Sequence, residues 1–178
     1  MTLPLNGQPV DTLHADYDQA ARKLDAEKAG QTQTVRVHYF KLLNDFIDYS
    51  QGRGDADYVF WARSEQKRFD EDPVIVLDPK AKLPTKIKRS QAQYQRTLEV
   101  SQLKWEQEFI ELTERYLDAL KGAADRLTAA GNVEQALKVE RVIMDIREGE
   151  ELVSAKANFA AFQRRSSAKE PVPEVKSP

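Results

Sequence analysis

The sequence predicts an all-α protein, two antiparallel helical hairpins forming an elongated four-helix bundle or coiled-coil rod. Three observations predict it. From Tyr94 to Leu127 the residues Tyr94, Leu98, Trp105, Phe109, Leu112, Tyr116, Leu120, Ala123 and Leu127 recur mostly three, four or seven apart, the spacing of one helix face. Gly131-Asn132 interrupts that stripe, and a second follows through Val133, Ala136, Leu137, Ile143 and Ile146: helix, tight turn, return helix. Finally, a shift of 77 residues superposes the two halves of the chain without a gap. Tyr17 falls on Tyr94, Tyr39 on Tyr116, Leu43 on Leu120, Asp48 on Asp125, Gly54 on Gly131, Phe60 on Leu137 and Phe69 on Ile146. One thin hairpin shields its apolar face poorly, so two joined units would bury their stripes together.

Composition agrees with long helices. Of 178 residues 40% are hydrophobic and 31% charged, enough apolar surface for a core under a large wet surface. Glycine, at 7, is sparse for an enzyme of this length, whose active-site loops lean on it. The net charge of −2 gives no global field for nucleic acid or an acidic membrane. With no cysteine, disulfides, thiolate metal sites and cysteine nucleophiles are excluded. No run approaches the ~18 apolar residues of a membrane span.

Taken in order, residues 1–11, with two prolines and a glycine, read as an irregular lead-in. The bundle is expected over 12–162. Asp11 or Thr12 is the expected cap of a first helix whose stripe is Leu13, Tyr17, Ala20, Leu24, Val35, Tyr39, Leu42, Phe46 and Tyr49. Gly30 sits in a polar stretch and loosens it, at a cost of about 1 kcal/mol against alanine. Gly54 reads as a left-handed stop, with Asp55 or Asp57 capping a return helix from Ala56 to about Phe69, closing hairpin one at 12–69. The connector, 70–84, holds Pro73, Pro79 and Pro84, so no helix crosses it. Its Val74-Ile75-Val76-Leu77 is expected either as a buried staple across the bundle or as a strand pairing with a partner.

Hairpin two covers 85–162: a helix from Thr85 to Ala130, roughly 65 Å long, then a return helix from Asn132 to at least Arg147 that Gly149 either ends or weakens. Leu152, Val153, Ala155, Phe159 and Phe162 prolong its stripe. Residues 163–178, with three prolines and no aromatic, read as a disordered tail.

Tyr116-Leu117-x-x-Leu120, Leu127 and Ala130-Gly131-Asn132-Val133-Glu134-x-Ala136-Leu137-x-Val139 carry a resemblance. The pattern resembles a helical-hairpin region common in exported proteins of planctomycetes and verrucomicrobia, in which a glycine-aspartate turn joins the helices. Gly54-Asp55-Ala56-Asp57-x-Val59-Phe60 repeats it more loosely, and the likeness covers roughly residues 17 to 147. It implies a non-catalytic spacer or interaction segment, exported with its signal removed. Asn132 stands where aspartate is usual, and MTLPLNGQPVDTL is no signal peptide. A cytoplasmic location is the alternative.

Candidate chemistry is thin. His14 and His38 lack any His-x-x-x-His or Glu-x-x-His spacing for a metal. No Gly-x-Ser-x-Gly elbow or phosphate-binding glycine frame occurs, and Gly52-x-Gly54 is a turn. Glu106, Glu108, Glu111 and Glu114 alternate with apolar residues as a solvated face does, and no di-iron motif completes them. No catalytic, cofactor-binding or metal-ligating residue is expected, and no cofactor. Tyr58 and Trp61 lie three apart on the short helix while Phe60 belongs to the facing stripe. Either the connector covers that second face or it meets a partner, so Tyr58, Trp61 and Trp105 are the partner-contact candidates. Lys80, Lys82, Lys86, Lys88 and Arg89, followed by Arg96, form a basic segment over 80–96. The expected function is a non-catalytic scaffold or protein–protein interaction module, with a protein partner or self-association as a homo-oligomer and no membrane insertion. Binding of nucleic acid or another anionic polymer through the basic segment is the alternative.

Overall fold

A computed structural model describes residues 9–78 and 80–167. The lead-in over 1–8, Pro79 of the connector and the tail from 168 onward lie outside the described residues. Five helices pack together: α1 Val10–Gly52, α2 Ala56–Glu71, α3 Thr85–Ala129, α4 Val133–Glu148 and α5 Glu150–Ser167. Among the described residues there is no strand.

Helix α1 starts one turn earlier than its expected cap. The Thr12 and Leu13 N–H groups both donate to the Pro9 carbonyl, so Asp11 sits inside the first turn and neither it nor Thr12 is the cap. A carboxylate there suits the positive end of the helix dipole. The helix passes Gly30 unbroken, where the Thr34 hydroxyl donates to the Gly30 carbonyl at 2.9 Å. Asp55 caps α2, accepting from the Tyr58 N–H at 3.3 Å. Gly54 and Gly131 take φ of +69° and +79°, the left-handed conformation that stops a helix cheaply only at glycine. Gly149 is extended and separates α4 from α5, and the chain then resumes helix through Ser167.

The described residues form two compact units, one within Met1–Asp25 and Leu103–Pro178 and one within Ala26–Gln102. In the first, Leu13, Phe109, Tyr116, Leu117, Leu120, Val139, Ile143 and Leu152 form the core, drawn from α1, α3, α4 and α5. The second has two clusters: Tyr39, Leu43, Phe69, Ile75 and Tyr94, and Phe46, Ile47, Ala62 and Ile87.

The 77-residue shift acts on whole elements. It carries Ala56–Glu71 onto Val133–Glu148 and the last residue of α1, Gly52, onto the last of α3, Ala129. Buried Leu43 and Ala62 fall on buried Leu120 and Val139.

Several stripe assignments change, among them those of Val133 and Val153, which are exposed. Phe60 and Leu137, expected to face the core, are 64% and 61% exposed. The buried faces are instead Ala62, Glu65 and Phe69 on α2, and Ala136, Val139 and Ile143 on α4. A helix turns by about 100° per residue, so Phe60 lies far round from Ala62 and Leu137 a quarter-turn from Ala136. On α1, Tyr49 is exposed while Leu43 and Ile47 are buried. Among the described residues of the connector only Ile75 is buried, and Val74, Val76 and Leu77 are exposed. An extended chain points alternate side chains to opposite sides, so one residue of such a run reaches a core while its neighbours face away.

Candidate functional site

Glu65 is a buried, heavily partnered charge in the unit of residues 26–102. It is 4% exposed, and its Oε1 accepts from Tyr39 Oη at 2.8 Å, Gln91 Nε2 at 3.1 Å and Arg68 Nη2 at 2.8 Å. Arg68 Nε donates to Oε2 at 2.9 Å, completing a two-pronged ion pair. Burial alone would raise the Glu65 carboxyl, but the hydrogen bonds from Arg68, Gln91 and Tyr39 hold it below the usual carboxylate range. Burial, then the bond to Glu65, push the Tyr39 phenol well above its ordinary value. Arg68 Nη1 also donates to the Asp72 and Val74 carbonyls at 3.2 and 2.8 Å, and Gln95 Nε2 donates to the Ile75 carbonyl. One network therefore ties α1, α2, α3 and the connector together. Sequence reasoning missed it. Its signal is the Glu65-x-x-Arg68 spacing beside Phe69, but nothing in a sequence tells a buried pair from a solvated one.

Beside this network lies a groove of about 540 Å³, walled by Trp61, Arg68, Asp72, Val74, Val76, Lys82 and Leu83. The basic segment does not converge on it. Lys82 lines this groove, whereas Lys86 and Arg89 line a separate cavity of about 500 Å³ with Arg53, Tyr49, Tyr58 and Asp55. The Lys86 ammonium sits 5.1 Å from the Phe46 ring centroid and 5.0 Å from that of Tyr49. Arg53, unremarked in the sequence, donates to Tyr49 Oη at 2.9 Å. The Lys80 N–H donates to Asp78 Oδ1 at 2.8 Å, and Lys88 is half-buried.

The three aromatic candidates differ. Tyr58 is exposed and packs edge-on against Phe46 at 5.8 Å. Trp61 is half-buried among Phe46, Ala62, Ile87 and the connector's Leu83, so its neighbour Phe60 is the more exposed ring. Trp105 stacks on Phe109 at 5.2 Å and donates to Asp25 Oδ1 at 3.1 Å, inside the other unit.

His14 hydrogen-bonds Tyr116 Oη through Nδ1, and burial raises the Tyr116 phenol to about 12. The counterpart of His14 under the 77-residue shift is Gln91, which serves Tyr39 in the second unit. The glutamates of α3 are not one solvated face. Glu106 is buried and accepts from Asn158 Nδ2 at 3.1 Å, because α5 packs over that side of α3. Among the described residues no group of three or more histidine, aspartate or glutamate side chains could hold a metal ion, and no helix is long and apolar enough to cross a membrane. No protein-family model, curated protein or solved structure matches the chain.

Proposed function

We propose that the chain is a non-catalytic helical scaffold, an interaction module of two joined hairpin repeats that binds a protein partner or a second copy of itself. The observation that carries this reading is the pair Phe60 and Leu137. They are counterparts under the 77-residue shift, and both turn a large apolar side chain to water while their helices bury other faces. Val133, Met144 and Tyr58 add exposed apolar area on the same two helices. Apolar side chains on prefolded helices offer contact at little ordering cost. Sedimentation of the full chain across a concentration series tests it, beside a Phe60→Ser/Leu137→Ser variant. Self-association, or capture of a protein partner, that the double substitution abolishes is the expected result. A chain that stays monomeric to its highest soluble concentration, and captures nothing the variant does not, sinks the reading.

A second reading, binding of nucleic acid or another anionic polymer through residues 80–96, draws on the cavity where Lys86 and Arg89 meet Arg53 and two tyrosines. Cations beside aromatic rings suit a phosphate chain with stacked bases. Asp55 on the same wall opposes it. This reading expects binding that weakens steeply with salt and is lost on reversing Lys86 and Arg89. Salt-insensitive or absent binding removes it.

A further inference from the structure

Each unit has a cavity beside its helix–turn–helix corner, and the 77-residue shift lays one on the other. Phe46, Tyr49, Ser50, Tyr58 and Lys86 line the cavity of about 500 Å³, and their counterparts Ala123, Arg126, Leu127, Gln135 and Pro9 line one of about 590 Å³. The same corner is filled with different chemistry. In the first unit Asp11 shares the wall with Arg126, and Lys138 pairs with Glu134 at 3.1 Å. In the second, Arg53, Lys86 and Arg89 line one cavity, and among the described residues none of the three forms an ion pair. Their counterparts are Ala130, Pro9 and Thr12. A corner that folds with alanine, proline and threonine does not need three cations. Those at the start of α3 also stand against its dipole, with no acid in the first turn to offset them.

We infer that the cavity of Arg53, Lys86 and Arg89 binds a small molecule through a phosphate monoester. The inference rests on the cations of the second reading above but not on its polymer, since Lys82 faces a different groove and no continuous track forms. Three cations against Asp55 leave the wall a surplus of two positive charges, and Asp55 is itself engaged by the Tyr58 N–H at 3.3 Å. A phosphate monoester carries about −1.5 to −2 at pH 7 and matches that surplus, whereas a singly charged carboxylate does not. Arginine forks grip phosphate oxygens in pairs. Tyr49 positions two of the cations: Arg53 Nη1 donates to its hydroxyl at 2.9 Å, and the Lys86 ammonium sits 5.0 Å from its ring centroid. Accepting the arginine bond leaves the phenol hydrogen to donate to an anion. This gives a use to a ring that is 55% exposed. The volume falls within the roughly 300–1,000 Å³ of small-molecule sites, so the cavity has room for an organic group beside the phosphate.

The experiment is titration calorimetry of the full chain with phenyl phosphate at neutral pH. Phenyl sulfate, inorganic phosphate and an oligonucleotide without terminal phosphates are titrated beside it. Arg53→Ala/Arg89→Thr installs the residues of the other corner, and Lys80→Ala/Lys82→Ala removes the same charge elsewhere. Circular dichroism confirms that both variants are folded. Phenyl phosphate is expected to bind at a single site, about tenfold or more tighter than phenyl sulfate, and the arginine variant to weaken it at least tenfold. The lysine variant is expected to bind as the wild type does. Equal loss in both variants overturns the site in favour of a general field. Phenyl sulfate binding as tightly overturns the charge match, and inorganic phosphate binding as tightly overturns the organic ester. An oligonucleotide that binds and is lost in the arginine variant, with no binding of phenyl phosphate, overturns this inference and leaves the second reading standing. No binding of any of the four removes both and leaves the scaffold reading untouched.

Discussion

Tyr17 stacks on Tyr116 with ring centroids 4.3 Å apart and planes 12° from parallel. Their counterparts under the 77-residue shift, Tyr94 and Tyr39, pack together at 5.1 Å in the other unit. In each unit the early tyrosine of one long helix meets the late tyrosine of the other. The two halves of the sequence are thus shared between the units, each unit using a tyrosine from both.

Tyr116→Ala is expected to cost about 3–5 kcal/mol, the range for emptying a buried aromatic site. Tyr17→Phe keeps the stack and removes only the hydrogen bond to Thr113 Oγ1 at 3.1 Å, for about 1 kcal/mol. Urea unfolding of the two variants measures both. Equal losses would show that the ring stack carries no special share.

Glu65 makes acid stability predictable. Its carboxyl is held below its ordinary value, so the native state is favoured at pH above the unfolded value, about 4.3. That contribution is lost as pH falls through the lower folded value. Glu65→Gln should be less stable at neutral pH and show a shallower loss of melting temperature in acid. A variant with an unchanged acid limb would mean that other carboxylates set it.

Tyr116 acts at the opposite end of the scale. Its folded value of about 12 lies above the ordinary ~10, so its stabilisation is complete below ~10 and is lost as pH rises through about 12. Tyr116→Phe should lose stability at neutral pH, with the His14 hydrogen bond gone, and fall less steeply between those values. Thermal melts across the alkaline range measure this.

Two glycines with open space around them should respond with opposite signs. At Gly131 φ is +79°, and Gly131→Ala is expected to cost about 1–2 kcal/mol in backbone strain. At Gly30, inside α1, nothing obstructs a methyl group, and Gly30→Ala should stabilise by about 0.5–1 kcal/mol. Melting temperatures moving in the same direction would contradict the assigned backbone conformations.

The sequence alone determined the helical class, the turn glycines and the proline-bounded connector, and it narrowed the cap of α2 to Asp55 or Asp57. Each follows from local chemistry: apolar spacing, freedom at positive φ, a side chain reaching its own backbone, a missing N–H. Which side of each short helix is buried was decided by the tertiary structure. Phe60 and Ala62 are both apolar, and only the position of α1 and α3 selects the alanine for the core. The same holds for Glu65 and Glu106, identical in sequence to the exposed glutamates around them and buried because Arg68, Gln91, Tyr39 and Asn158 converge from distant segments. The basic segment read as one patch divided in the same way, since Lys82 faces a groove beside the connector while Lys86 and Arg89 of α3 share a cavity with Arg53 of the α1–α2 turn. Local pattern fixes what a helix is, but the free energy of burial depends on what comes to lie against it, and that is set by contacts far apart along the chain.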